Sequence, residues 1–178
     1  MNLPFSRRAG YTLIEMLTTV AALVIVLGLM VSLARYVRYR SSTELTKDLL
    51  AQLDAAMARY IHGNGGHPPA IADAFGEVSR ADEVGGQSEI LANNAEFVRL
   101  LRRGQPPSGG VFADLPVSMY DEVHLRDTWG SPIVYMPRQN PAIGMAPDDR
   151  PFFFSAGPDR RYLTRDDNLY SYEGTAYP

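Results

Sequence analysis

The feature that most constrains this chain is an apolar run from Met16 to Ala34, nineteen residues without a charged side chain. At about 1.5 Å of rise per residue, a helix of this length matches the roughly 30 Å hydrocarbon core of a bilayer. The run lies inside a longer stretch without proline, which ends at Pro68. A single helix from about Thr12 to about Ile61 is therefore predicted, with its N-terminal part in a membrane.

The second half of this helix has a different pattern. The segment RYVRYR, residues 35–40, carries the arginines and tyrosines that are typical of a membrane–water interface. Beyond it, apolar residues recur at three- and four-residue spacing, which predicts one buried stripe on an otherwise polar helix. The members of this predicted stripe are Leu45, Leu49, Leu53, Met57 and Tyr60.

The remaining residues predict a small domain. GNGGHPP ends the long helix, and a surface loop is expected up to about Ser88. A short helix then follows, with Asn93 or Asn94 as its N-cap. Trp129 is expected as a core aromatic in a turn. Short apolar segments between Pro and Gly predict strands: LPVSMY, PIVYM, PFFFSA and LYSY. The predicted class is α+β, a long N-terminal α-helix packed on a small antiparallel sheet of three to four strands.

Composition excludes several functions. The chain has no cysteine, which rules out thiol catalysis, cysteine-bound zinc and disulfide bonds. Its formal net charge is −3 and it has no long basic block, so nucleic acid is not expected as a partner. No serine, histidine and aspartate pattern indicates a nucleophile with its base. The sequence therefore predicts a protein that is not an enzyme and has no catalytic residue.

Glu15 is the charged residue that a simple membrane anchor does not explain. A plain signal peptide or anchor remains possible, because Ser32-Leu33-Ala34 offers a small-residue cleavage site. However, a carboxylate in this position costs about 2.5 to 3.5 kcal/mol on insertion scales, so a partner is expected. Cleavage between Gly10 and Tyr11 creates an ammonium group four residues before Glu15. Between packed subunits, that cation can neutralise a neighbour's carboxylate and set the register.

The segment RRAG followed by YTLIEML resembles the leader of the prepilin family. The resemblance implies that a membrane peptidase cuts after Gly10 and methylates Tyr11, with Glu15 as the fifth mature residue and the register residue. It also implies four parts and a type IV pilin-like fold. These parts are the leader 1–10, the transmembrane and assembly helix 11–34, its amphipathic continuation 35–62, and a periplasmic globular domain 63–178.

The C-terminal loop, residues 155–171, contains acidic and amide side chains between two predicted strands. Such oxygen ligands suit Ca²⁺. The loop resembles that of the major pseudopilin of type II secretion, where S-x-G-x-D-G leads to an Asp-Asp pair and the loop binds calcium. RDTWGSPIVY, residues 126–135, is similar to another segment of that family. The resemblance implies a calcium site formed by Ser155, Asp159, Asp166, Asp167 and Asn168.

A metal-free loop is the alternative. Arg160 and Arg161 stand where the family pattern has glycine and a single basic or polar residue. Two guanidinium groups could pair with Asp166 and Asp167 and replace the ion. Both possibilities stay open on the sequence alone.

The resemblance as a whole implies a structural subunit of the type II secretion pseudopilus. Such a subunit is a single-pass inner-membrane protein with a cytoplasmic N-terminus and a periplasmic C-terminal domain. It polymerises into a helical homopolymer that drives protein export across the outer membrane. Its implied partners are minor pseudopilins, the prepilin peptidase, and an inner-membrane assembly platform with its ATPase. The alternatives are a type IV pilin or minor pseudopilin and, from another class, a monomeric membrane-anchored calcium-binding domain.

Overall fold

The computed structural model describes residues 12–76, 86–103, 110–113 and 115–173. Packing contacts divide the chain after Arg40 into two units, Met1–Arg40 and Ser41–Pro178. The described elements confirm the predicted α+β class, with one long N-terminal helix and a three-stranded antiparallel sheet. The elements are α1 Leu13–Gly63, α2 Gly86–Arg103, β1 Val134–Met136, β2 Phe152–Ser155 and β3 Leu169–Tyr170, with 3-10 turns at Pro147–Asp149 and Ser171–Glu173.

The first unit consists, in its described part, of the N-terminal portion of α1. Every described residue up to Arg40 is exposed, including the whole apolar run. The helix is long and apolar enough to cross a membrane. An exposed apolar surface of this extent is compatible with a segment that lies in a membrane.

In the second unit, α1 contributes a buried stripe that differs from the predicted one at its first member, and its predicted last member, Tyr60, is only partly buried against the core. Leu45 is 55% exposed, and the adjacent Thr46 is buried instead. The reason is geometric, because a stripe at strict four-residue spacing drifts around a helix of 3.6 residues per turn. The hydroxyl of Thr46 lies 2.9 Å from that of Thr128. The buried members of the stripe are Thr46, Leu49, Leu50, Leu53, Ala56 and Met57.

Helix α2 begins at Gly86, so the predicted N-cap at Asn93 or Asn94 is wrong, and the predicted loop up to Ser88 ends earlier. Both asparagines lie inside the helix and are buried. The amide of Asn93 accepts from the N–H of Tyr135 and donates to its carbonyl, both at 2.9 Å. Asn94 does the same with Leu125, at 2.8 and 2.7 Å. These amides satisfy distant backbone groups, a use that a local capping pattern does not reveal.

The sheet has strand order β1-β2-β3, with Tyr135 opposite Phe153 and Phe154 opposite Tyr170. Side chains alternate between two cores, as expected for strands. Tyr135 and Phe153 pack with α1 and α2 in one cluster. The neighbouring residues Val134, Met136, Phe152 and Phe154 pack in a second cluster with Phe75, Ile143 and Tyr170.

Asn93 also protects the free edge of the sheet. In the register of β1 and β2, Tyr135 faces Phe153, and its own N–H and C=O bond to Asn93 on the other side. An unpaired edge is a template for pairing with another chain, so this amide from α2 closes it.

Two further sequence predictions are wrong. LPVSMY forms turns with a single bridge between Tyr120 and Leu125, so the sheet has three described strands and not four. Trp129 is only partly buried and belongs to neither core cluster. Its neighbour Thr128 contacts α1 through Thr46 and Ser42.

Candidate functional site

Glu15 lies in the first turn of α1. The residue before the helix, Thr12, is its N-cap, because the N–H of Glu15 lies 3.4 Å from Thr12 Oγ1 and 3.1 Å from its carbonyl. Thr12 and Glu15 have the spacing of a capping box, a local signal that sequence analysis missed. A carboxylate here also faces the positive end of the helix dipole. Gly10 and Tyr11, the predicted cleavage residues, lie outside the described residues.

The polar side chains near Glu15 are satisfied within the helix. Thr18 donates its hydroxyl to the carbonyl of Glu15 at 3.0 Å, and Thr19 donates to that of Met16 at 2.9 Å. Among the described residues, the Glu15 carboxylate has no hydrogen-bond donor and no cation within salt-bridge distance. Among the described residues of this segment, the Glu15 carboxylate is therefore the charged group that lacks a partner.

The predicted calcium residues separate into two sets. Ser155 and Asn168 are buried at the two ends of the loop. Asp159, Asp166 and Asp167 are exposed. Among the described residues, no three His, Cys, Asp or Glu side chains are grouped closely enough to hold a metal ion. The three carboxylates thus form no preformed cluster, and any ion in this loop must also use amide or backbone oxygens.

The ends of the loop meet at Gly157. Its φ is +68°, and a Cβ at this position would overlap the carbonyl oxygen of Asp167. Glycine is required at this position for two reasons: its backbone is left-handed, and the carbonyl of Asp167 approaches too closely for a Cβ. The contact brings the S-x-G part of the loop against its Asp-Asp part.

Asp127 is a buried carboxylate beneath the loop that sequence analysis did not nominate. It is 1% exposed, and its Oδ2 accepts a hydrogen bond of 2.6 Å from Ser155 Oγ. Its Oδ1 accepts from the N–H groups of Trp129 and Ser131 at 2.9 and 2.8 Å. Burial raises the pKa of Asp127, and these hydrogen bonds oppose the rise. The first residue of the D-T-W-G segment was the signal that could have found it.

Ser155 connects this carboxylate to the loop. Its Oγ donates to Asp127 and accepts from the N–H of Gly157 at 3.0 Å. The hydroxyl therefore acts as both donor and acceptor, and its role in this structure is to fix the backbone where the loop begins.

Arg160 takes a conformation that favours glycine. Its φ is +61°, in the left-handed region that costs about 1 to 2 kcal/mol for a residue with a side chain. In the described part of the chain, neither Arg160 nor Arg161 forms an ion pair with Asp166 or Asp167. The described residues therefore show no ion pair through which these arginines would replace the ion.

The side chain of Asn168, in the loop, is only partly hydrogen-bonded among the described residues. Its Nδ2 donates to the carbonyl of Tyr162 at 2.8 Å, and the residue is 4% exposed. Its Oδ1 is buried and has no hydrogen-bond partner among the described residues. A buried amide oxygen without a donor is costly, and a hard cation satisfies it as well as a donor does.

A shallow groove of about 670 Å³ runs along α2. It is lined by Arg99, Arg102 and Arg103 together with Glu96 and Glu122 and by apolar side chains between them. Its described lining includes no histidine, serine or threonine. The residues that line it therefore include no nucleophile with a neighbouring imidazole base.

In comparisons with known proteins, no protein-family model, no curated protein and no solved structure matches this chain.

Proposed function

We propose that this chain is a pseudopilin of a type II secretion system, a structural subunit that polymerises and performs no chemistry. After cleavage behind Gly10, residues 11–34 would anchor it in the inner membrane and residues 63–178 would lie in the periplasm. A platform with its ATPase would then add subunits to a fibre that pushes cargo outward, with minor pseudopilins among its partners.

One observation carries this proposal: the carboxylate of Glu15, in an exposed apolar helix, has no hydrogen-bond donor or cation among the described residues. Within a membrane its charge costs about 2.5 to 3.5 kcal/mol. A capping role alone would be served equally well by glutamine, which has no such cost. The new ammonium group of Tyr11, placed there by the prepilin peptidase, supplies a cation at the same depth, in the same chain or in a neighbour.

The exposed surface of α1 supports polymerisation. Apolar helices in lipid gain little hydrophobic free energy by meeting one another, so packing and polar contacts must drive their association. The paired charges of Glu15 and Tyr11 supply such a contact and select one stagger. Gly28 has no side chain, so it allows another helix to approach closely.

Calcium is the second part of the proposal. The ligands would come from the loop 155–171: Asp159, Asp166 and Asp167 supply carboxylates, and Asn168 supplies its unsatisfied Oδ1. Ser155 is committed to Asp127 and Gly157, so it would serve by holding the backbone and not as a ligand through its side chain. The ion would supply a cross-link between the loop ends, which the close approach of Gly157 and Asp167 already brings together.

The mass of the mature protein from its native membrane tests the processing step. We expect a polypeptide that begins at Tyr11 and carries one added methyl group. A chain that begins at Met1 or at Arg35 contradicts the proposal and favours a simple anchored or exported domain.

Glu15→Gln tests the register role with little change in shape. Glutamine still completes a capping box, so only the charge is lost. We expect normal insertion and processing but few fibres, whereas the matched variant Thr19→Val should assemble normally. Normal assembly of Glu15→Gln would show that Glu15 acts only as a helix cap.

Cross-linking separates the polymer from a monomeric membrane-anchored domain. The chain has no cysteine of its own, so introduced cysteines report without background. Bismaleimide treatment of a Leu17→Cys/Leu27→Cys variant in cells should give a ladder of covalent oligomers. A monomer and nothing larger would support the anchored domain.

A further inference from the structure

The groove along α2 has an apolar lining that reaches from the core of the second unit to its surface. The apolar side chains that line it are Ala92, Ala95, Val98 and Val123. Val98 is 2% exposed and belongs to the core, whereas Val123 is 52% exposed. A second apolar side chain placed in this groove would therefore exclude water from a surface that is already concave.

The charged side chains of the groove do not balance one another. Glu96 lies 3.8 Å from Arg99, so these two form an ion pair. Arg102 donates to the backbone carbonyl of Glu122 at 3.3 Å, a contact that leaves its positive charge uncompensated. Within the described part of the chain, no carboxylate lies within salt-bridge distance of Arg102 or Arg103. The groove has three guanidinium groups against two carboxylates, so its chemistry suits an occupant that is apolar and acidic.

The 3-10 turn Pro147–Asp149 presents this chemistry at the surface. Met145, shortly before the turn, is 54% exposed, and Asp148 and Asp149 are exposed. Neither carboxylate forms an ion pair with any residue that the structure describes. An exposed thioether side chain followed by carboxylates complements an apolar groove with uncompensated guanidinium groups.

One side chain holds this turn from both ends. The amide of Gln139 accepts a hydrogen bond from the N–H of Ala146 and donates to the carbonyl of Arg150 at 2.7 Å. Asp148 has a φ of +59°, a left-handed conformation that costs about 1 to 2 kcal/mol for most residues with a side chain. The turn is therefore maintained by its surroundings, and little conformational freedom is lost when it binds.

The groove and the turn lie on opposite sides of the sheet. Val98, in the groove, packs in the cluster that contains Tyr135. Ala146, directly before the turn, packs in the cluster that contains Val134. Neighbouring residues of a strand face opposite sides, so each copy presents the groove on one side and the turn on the other. A contact between two different surfaces of identical copies is heterologous, and it repeats along an open fibre unless a ring closes.

We propose that the groove along α2 of one copy receives the turn of a second copy, with Met145 against Val123 and Asp148 beside Arg103. This inference deepens the proposed polymer and rests on it, but not on secretion or calcium. Stable interfaces between free proteins bury about 1,600 Å² in total, which one turn in one groove does not supply. The contact therefore depends on copies that α1 already holds together, and it selects which surfaces of those copies meet.

Two cysteine variants of the full chain test this contact. One copy carries Val123→Cys and the other carries Met145→Cys, each with a different epitope tag, and both are expressed together in the native host. Bismaleimide treatment should give a covalent dimer with both tags. Either variant alone should give little dimer, because a heterologous contact does not bring a residue to its own counterpart. Val117→Cys is the matched control for Val123→Cys, since Val117 is 84% exposed and does not line the groove.

Charge substitutions test the pairing of Arg103 with Asp148. Arg103→Glu in the groove copy should lower the yield of mixed dimer several-fold, because two carboxylates then face each other. Asp148→Asn in the turn copy should lower the yield with the wild-type groove and restore part of it with Arg103→Glu, because the repulsion is removed. Asparagine tolerates a left-handed backbone as aspartate does. The amount of mature chain in each variant, compared with the wild type, separates a loss of folding from a loss of contact.

Four results would overturn the proposal. Absence of the mixed dimer, while the Leu17→Cys/Leu27→Cys ladder still forms, removes this contact and leaves the polymer. Absence of both removes the polymer as well. Equal yields from Val117→Cys and Val123→Cys show that the mixed dimer reflects random collisions. Equal losses from Asp148→Asn with the wild-type and the Arg103→Glu groove show that these two side chains do not meet.

Discussion

The hydroxyl of Ser155 donates a 2.6 Å hydrogen bond to the buried carboxylate of Asp127. This bond joins the last residue of β2 to the turn that carries Trp129, across 28 positions of sequence. The same carboxylate holds that turn through two backbone N–H groups. Asp127 thus organises both the start of the C-terminal loop and the turn that carries Trp129.

Asp127→Asn should change the pH dependence of stability. Burial raises the pKa of Asp127 in the folded chain. Between the unfolded pKa of about 3.9 and the raised folded pKa, the folded state binds more protons than the unfolded state. Wild-type stability should therefore fall relative to Asp127→Asn as the pH rises through that window and then level off.

Urea unfolding of the full chain in detergent micelles, followed by Trp129 emission, gives this difference at each pH. Subtracting the variant cancels the other carboxyl groups to a first approximation. A difference that stays constant from pH 3 to pH 8 would contradict a raised pKa.

Gly157→Ala should strongly destabilise the loop. An alanine would require a left-handed backbone and would push its Cβ into the carbonyl of Asp167, a combined cost of about 2 to 4 kcal/mol. Gly130→Ala is the control, because its φ is also positive but nothing lies near its Cβ. That variant should lose only about 1 kcal/mol in the same unfolding experiment. Equal losses would show that the close approach has no energetic weight.

Tyr135→Phe should stabilise the globular unit. The hydroxyl of Tyr135 is buried and has no partner among the described residues. Its removal recovers a desolvation penalty of about 1 to 2 kcal/mol. Tyr162→Phe is the opposite case, since its hydroxyl donates to the carbonyl of Pro132 at 2.7 Å. Thermal unfolding should place the two variants on opposite sides of the wild type, and a destabilised Tyr135→Phe would reveal a partner for that hydroxyl.

Calcium should raise the stability of the full chain, and a chelator should lower it again. A ligand that binds only the folded state stabilises in proportion to the logarithm of its concentration above Kd. Asn168→Ala and Asp167→Asn should abolish the response. Asp149→Asn, which changes an exposed carboxylate outside the loop, should retain it. Identical unfolding curves with calcium and with chelator would favour the metal-free loop.

The sequence by itself determined the long helix, three of the strands and the place of Glu15. These features depend on local or periodic properties: an apolar run, the absence of proline, and short apolar segments between turn residues. The predicted end at Ile61 lies two residues from the observed end at Gly63. Sequence patterns suffice to predict these features, because none of them depends on a partner from a distant part of the chain.

Only the tertiary structure decided which polar residues are buried and why. Asn93 and Asn94 bond to backbone groups that lie 42 and 31 residues away, and those partners replace the capping role that their local pattern indicated. Thr46 is buried in place of Leu45, its hydroxyl meets that of Thr128, and Trp129 lies outside the core. A polar side chain is stable in a core only when a specific partner reaches it, and that partner is set by the fold of distant segments.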